Sequence, residues 1–196
     1  MDIDREAIQY AQENSTHPKS FFLVGDALCV PFPDDYFDLV ITAQNYEHVS
    51  DAFRLSEEIF RVLKPGGFCL FSGPNRLALI EDHYKLPFLS WLPWRLANLY
   101  VRWMGKGPKY EERPFTLWGL RRLWKRFVIH DYTVKMIRSP EVYGIDDEMQ
   151  FAQVEICAGG CPAIIFVSGT ELQLGFSQTH NIARISHLIK TDLAYH

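Results

Sequence analysis

The chain has 196 residues, 47% of them hydrophobic and 22% charged, with a formal net charge of −4. That length suits one domain with elaborations and a sizeable core, and an acidic balance gives no general pull toward nucleic acid, so no nucleic-acid partner is expected. The four cysteines (29, 69, 157 and 161) complete no zinc-ligand spacing, and the first residues form neither a signal nor a transit peptide, which together suggest a reduced, cytoplasmic chain.

Taken in order, Asp4 is a candidate N-cap for a helix running to about Asn14, with Ala7, Ile8 and Ala11 on one face. Phe21–Val24 reads as a strand ended by Gly25, Asp26 and Ala27. Two prolines and two aspartates between Pro31 and Asp35 predict a turn. Phe37–Ile41 is the next strand, and its continuous apolar run predicts burial on both faces. Ser50 is placed to cap a helix through Lys64 that buries Ala52, Leu55, Ile59 and Val62, stopped by Lys64 to Gly67. Phe68–Ser72 is the third strand. Short strands alternating with helices predict an α/β fold with a mostly parallel sheet, whose ligand site lies past the strand ends. Asp26 and Ala27, Ala43 to His48, and Pro74 with Asn75 converge there.

Residues 76–113 break this rhythm and read as an insertion, aromatic and apolar from Phe88 to Met104. All five tryptophans (91, 94, 103, 118 and 124) lie in this stretch or in the helix expected after it, Thr116–Phe127. That helix places Leu117, Leu120, Leu123 and Phe127 on one face and Arg121, Arg122, Lys125 and Arg126 largely outward. Residues 95–126 hold nine Lys/Arg against two acids, Glu111 and Glu112, inside a net acidic chain. Arg95, Asn98 and Arg102 interrupt the apolar run, so it does not span a bilayer. Val128–Met136 and Ala163–Ser168 read as further strands, and 175–196 as a tail with a short helix near 182–189. Residues 1–174 then form the domain, with 76–113 as its lid.

Four segments in order carry a family resemblance: Asp2-Ile3-Asp4 before a helix, Gly25-Asp26-Ala27 followed by the Pro31–Val40 run, Glu47-His48-Val49, and Leu63 to Gly67 leading to Pro74 and Asn75. Over about residues 1–75 the chain resembles the class I S-adenosylmethionine-dependent methyltransferases, the Rossmann-like group that includes ubiquinone-biosynthesis enzymes. The series argues against a dehydrogenase. The resemblance implies S-adenosylmethionine as cofactor. It also implies that Asp2 receives the ribose hydroxyls, Ile3 packs on the adenine, Asp26 and the Ala27 amide meet the adenine edge, and the Ala43 backbone approaches the methionine end. Each carboxylate has a plainer reading: Asp2 as a solvated terminal residue, and Asp26 as a turn aspartate bonding its own backbone.

Methyl transfer rests mainly on in-line positioning, since the sulfonium is already activated. A phenol or carboxylate acceptor gains from a nearby base, and His48 and Glu47 are the candidates, although His48 also suits a capping or packing role. In ubiquinone-type relatives two acids and this His are proposed metal ligands. Gln44 stands here for the first acid, and a neutral amide is a poor ligand for a hard cation, so no metal is expected. His83 and Tyr84 open the lid and could reach the acceptor, though their spacing does not require it. Interleaved Trp and Arg over 88–126 suit a peripheral membrane contact or a lipid-like acceptor. A packed lid helix with a solvated basic face accounts for the same pattern.

The family's first strand and glycine-rich loop have no counterpart, and no GxGxG occurs. That loop brings backbone close to the cofactor, which glycine alone does well. The expectation is therefore an N-terminally truncated chain with weakened cofactor binding and an uncovered sheet edge. Methyl transfer to a small-molecule or lipid-like acceptor competes with an inactive remnant that serves as an interaction module.

Overall fold

In the computed structural model, residues 1–130 apart from 16 and 82, together with residue 138, are described. They fall into two units. One holds Met1–Val40 and Val49–Cys69, the other Ile41–His48 and the described residues from Leu70 onward.

In the first unit, helix α1 (Arg5–Asn14) starts where expected. The Asp4 side chain accepts from the Glu6 and Ala7 amides, which satisfies two of the helix's open donors. Ile8 is its buried residue. The expected strand Phe21–Val24 shrinks to one parallel bridge between Asp2 and Val24. Asp2 N donates to Leu23 O at 3.1 Å and Gly25 N to Asp2 O at 2.8 Å. Among the described residues the ladder extends no further, and Phe21 is left 94% exposed.

Strands β1 (Phe37–Ala43) and β2 (Leu63–Ser72) pair in a two-stranded sheet, with helix α2 (Ala52–Val62) as the crossover. Their hydrogen bonds advance in the same direction, from Tyr36 N to Val62 O in the first unit to Gln44 N to Ser72 O in the second, both at 2.9 Å. The pair is therefore parallel. The fold is α/β and Rossmann-like, as expected from the sequence.

Three local expectations are corrected. The cap of α2 is Asp51 rather than Ser50, its carboxylate accepting from Arg54 N at 3.0 Å. Lys64 to Gly67 belong to β2 instead of forming a stop. Gly66 takes a left-handed φ of 78°, and a Cβ on Gly67 would stand 3.2 Å from Asp38 O, so glycine lets the chain pass directly from helix into strand. β1 is not buried on both faces: Asp38 is exposed and pairs with Lys64 at 3.0 Å, and Ile41 is 47% exposed. A strand with one hydrogen-bonded neighbour among the described residues lacks the cover that a central strand has.

The Pro31–Asp35 turn is held by Arg61 at the end of α2. Its guanidinium donates to Val30 O and Phe32 O, both at 2.8 Å, and pairs with Asp34 at 2.9 Å and with buried Glu58 at 2.8 Å. That hydrogen bond from Arg61 holds the Glu58 carboxyl below its usual range.

The second unit contains a 3-10 turn (Leu89–Trp91), helix α3 (Trp94–Trp103) and helix α4 (Leu117–Leu123). Leu86, Leu89, Ala97, Val101 and Tyr110 form one core cluster, within the stretch read as a lid. Thr116 caps α4 by accepting from Gly119 N. The helix stops at Leu123, short of the expected Phe127. The Trp124 ring is buried and stacks on Phe71 and Phe127, with centroids 4.9 and 5.2 Å away, and this packing overrides helix continuation. Arg121, Arg122 and Lys125 are exposed as expected. No helix among the described residues is long and apolar enough to cross a membrane. Residues 128–130 hold no strand; the rest of that expected strand, the strand at 163–168 and the tail lie outside the described residues.

Candidate functional site

The residues assigned to the cofactor divide between the units. Asp2, Ile3, Asp26 and Ala27 belong to the first, and Ala43, at the end of β1, belongs to the second. Within the first unit, the Asp2–Val24 bridge brings Asp2 and Asp26 to one end of the paired segments. Both are exposed, and each commits Oδ1 to local backbone: Asp2 accepts from Asp4 N at 2.9 Å, and Asp26 from Leu28 N at 2.8 Å. The turn role considered for Asp26 is therefore real. A carboxylate has more than one acceptor position, so it does not exclude a ligand hydroxyl or amine. Ile3 is exposed beside them.

A denser arrangement stands in the second unit. The chain leaves β1 into a turn closed by His48 N donating to Asn45 O at 3.1 Å. His48 thus sits on a turn and does not open a helix. Tyr46 anchors this turn: its hydroxyl donates to Pro74 O and accepts from Phe115 N at 3.1 Å. The next residue, Glu47, is buried; its carbonyl accepts from Arg113 N at 3.2 Å, which draws Glu112 alongside. His83 comes from a separate loop, shaped by the buried Glu81 carboxylate accepting from Tyr84 N at 2.7 Å.

Two imidazoles and two buried carboxylates meet here. His48 Nδ1 lies 3.0 Å from Glu112 Oε2. Glu47 Oε1 lies 3.7 Å from His48 Nε2 and 3.8 Å from His83 Nε2. The imidazole rings meet edge-on with centroids 5.1 Å apart. The Glu47 side chain is 0% exposed, and neither of its oxygens has a hydrogen-bond partner. The Glu47 carboxylate pushes the His83 imidazole up to about 9, against the opposing effect of burial. Burial raises the Glu112 carboxyl, and the two histidines oppose that rise. The cluster can hold a proton or a cation between its acids and imidazoles.

Of these four, the sequence pointed to Glu47 and His48 as catalytic candidates and to His83 without a role. Glu112 passed as one acid in a basic stretch. Its partner lies 64 positions earlier in the chain, a separation no local pattern reveals.

Comparison with known proteins adds the family. Residues 1–71 match the methyltransferase domain family. The first third of the chain is thus similar to methyltransferase domains. A demethylmenaquinone methyltransferase of Staphylococcus haemolyticus is 32% identical over 96 residues, covering 47% of this chain and 40% of that protein. A ubiquinone/menaquinone biosynthesis C-methyltransferase of Francisella philomiragia is 33% identical over 101 residues, covering 45% and 40%. The chain thus spans about two fifths of the length of these curated relatives. Among solved structures, a methyltransferase of Mesorhizobium loti aligns with a TM-score of 0.48 at 17% identity, over 71% of this chain and 69% of that one. S-adenosylmethionine is the cofactor of that family, and the matched segment contains Asp2, Asp26, Ala43 and Glu47 with His48.

Proposed function

We infer that the chain transfers the methyl group of S-adenosylmethionine to a small-molecule or lipid-like acceptor. The observation that carries this reading is the family match over residues 1–71, which spans every position assigned to cofactor or catalysis. In the reaction, the acceptor atom bonds to the methyl carbon, the carbon–sulfur bond breaks, and the sulfur departs as a neutral thioether. Asp2 and Asp26 are assigned the ribose hydroxyls and the adenine amine. Ile3, Ala27 and Ala43 are assigned contacts along the cofactor. His48 is 44% exposed beside buried Glu47 and is assigned the acceptor's proton. The relatives named for quinone methylation support an aromatic, lipid-like acceptor.

The same reading places the chain in the cytoplasm, touching the membrane surface through residues 88–126. Leu96, Leu99 and Trp103 are exposed on α3, and Arg95 and Arg102 flank them. Co-sedimentation with vesicles containing an anionic lipid tests this part, and indifference to that lipid removes it.

Calorimetry with S-adenosylmethionine tests the main reading, with saturable 1:1 binding as the expected result. No heat at millimolar cofactor would overturn it and leave the interaction-module reading, for which the exposed Phe21, Leu23 and Val24 speak.

A further inference from the structure

We propose that the outer face of α3 lies flat in the surface of an anionic bilayer, with Leu96, Leu99 and Trp103 seated at the acyl boundary. The proposal rests on the membrane contact inferred above for residues 88–126 and assigns that contact to one helix and one lipid charge. The inner face of α3 is already occupied. Ala97 and Val101 pack with Leu86, Leu89 and Tyr110, and the Asn98 side chain accepts from Tyr110 N at 2.7 Å.

Three features point to a lipid surface. The first is a second apolar stripe on the same helix. At about 3.6 residues per turn, positions 96, 99 and 103 share one side, roughly opposite the buried 97 and 101. There Leu96 is 53% exposed, Leu99 60% and Trp103 81%. A helix that faces only water carries polar residues on that side. The second feature is charge. Arg95 and Arg102 border the stripe and are exposed, and α3 contains no acid. Arg102 Nε donates to Asn98 O at 3.2 Å, which ties its side chain to the helix. Of the two acids within residues 95–126, Glu112 is buried and Glu111 pairs with Lys109 at 2.8 Å. The exposed charge of this stretch is therefore positive, complementary to anionic headgroups. The third is the position of the indoles: exposed Trp94 opens the helix and exposed Trp103 closes it. An indole joins an apolar body to a polar N–H, which suits the boundary between headgroups and acyl chains.

The size of the stripe favours a bilayer over a protein partner. Three side chains along one helix face fall well short of the roughly 800 Å² per partner that a stable protein interface covers. An interfacial helix needs less, because apolar insertion and attraction to anionic headgroups act together. Orientation follows from length and packing. The ten residues of α3 make a helix of about 15 Å, half the thickness of a hydrocarbon core, and its inner face is held by the protein. It can lie in the surface, with the two arginines reaching up to the headgroups. Through the Asn98–Tyr110 bond, the lipid-facing helix is joined to the segment that carries Glu112, within one unit. A lipid-like acceptor would then come from the same surface on which this unit rests.

The test is co-sedimentation with vesicles of phosphatidylcholine alone and of phosphatidylcholine with about 30% phosphatidylglycerol. The parent chain should bind the anionic vesicles at least about 10-fold more tightly than the neutral ones. The double variant Leu96→Gln, Leu99→Gln should weaken that binding at least about 10-fold. The double variant Arg95→Gln, Arg102→Gln should weaken it about 10-fold and leave binding to neutral vesicles unchanged. Tyr10→Gln, on an exposed residue of the first unit, should bind as the parent does. All these side chains are exposed, and circular dichroism checks that each variant keeps its fold. With lipids brominated in their acyl chains, the parent's tryptophan emission should fall, and Trp103→Phe should lose most of that quenching. If the parent binds but the leucine variant binds equally well, or Trp103→Phe is quenched as strongly, the assignment to α3 is overturned and the membrane contact stands. If the parent ignores both kinds of vesicle, both are overturned. A parent chain that is dimeric without lipid, and monomeric with the two leucines replaced, would assign this face to a second copy and overturn the proposal. None of these outcomes bears on whether S-adenosylmethionine binds.

Discussion

His48 Nδ1 and Glu112 Oε2 stand 3.0 Å apart although 64 positions separate them in the chain. The two groups approach as charges, since Glu112 Oε2 accepts no hydrogen bond. Glu112→Gln should therefore shift the His48 ring signals in carbon–proton spectra, and unchanged signals would contradict the contact.

His83 provides a pH prediction. Its folded-state value is raised from 6.5 to about 9 by Glu47. A raised value means that the stabilisation is fully present below the unfolded value and is lost as pH rises through the folded one. The parent chain should exceed His83→Gln in urea midpoint by the largest margin near about pH 6, and the margin should have closed by about pH 10. A margin that grows with pH would refute the Glu47–His83 coupling.

Tyr46 is the post on which the Glu47–His48 turn hangs. Tyr46→Phe removes the donor to Pro74 O and the acceptor for Phe115 N. Leaving buried polar groups unpaired costs about 1–3 kcal/mol each, so a lowered melting temperature is expected. Gly73→Ala should be at least as damaging, because a Cβ there would run into the Tyr46 ring. Both should broaden the His48 ring signals, and a Gly73→Ala chain with unchanged His48 signals would argue against this anchoring.

In the first unit, Glu58 should govern the response to acid. Arg61 lowers its pKa, so its contribution is present above the unfolded value and lost as pH falls. Glu58→Gln should therefore be less stable than the parent at neutral pH and approach it in acid. Arg61→Lys, which cannot reproduce the planar fork serving Val30, Phe32, Asp34 and Glu58, should shift the same curve. Denaturant melts at a series of pH values read both effects.

The cap of α2 separates two adjacent residues. Asp51→Ala should cost about 1 kcal/mol, and Ser50→Ala should be nearly neutral, as measured by thermal melts. The sequence pointed to Ser50 because hydroxyl and carboxylate caps look alike one position apart; only backbone geometry separates them.

What was legible in the sequence was local. Asp4 and the apolar positions of α1 and α2 announced the helices through spacing alone, and Phe37 to Ile41 announced a strand. The strand at Phe21–Val24 failed because strand propensity says nothing about whether a partner is present to pair with. The burial of β1 failed for the same reason: an apolar run marks what could be covered, not what is. At the candidate site, Glu47 and His48 were visible because they are adjacent and carry a family signature. Glu112 was not, since it arrives through the return of the chain past Glu47. Gln44 drew attention to a missing acid, while His83, which packs beside Glu47 and His48, lay on another loop.

The tryptophans allow the second unit to be followed optically. Trp124 is buried to 1% exposure against Phe71, whereas Trp103 is 81% exposed, and Trp91, Trp94 and Trp118 also face solvent. An aqueous collisional quencher will silence four emitters and spare one. The blue residue of emission that survives iodide is therefore a gauge of the Phe71–Trp124 stack, readable in a cuvette without any label.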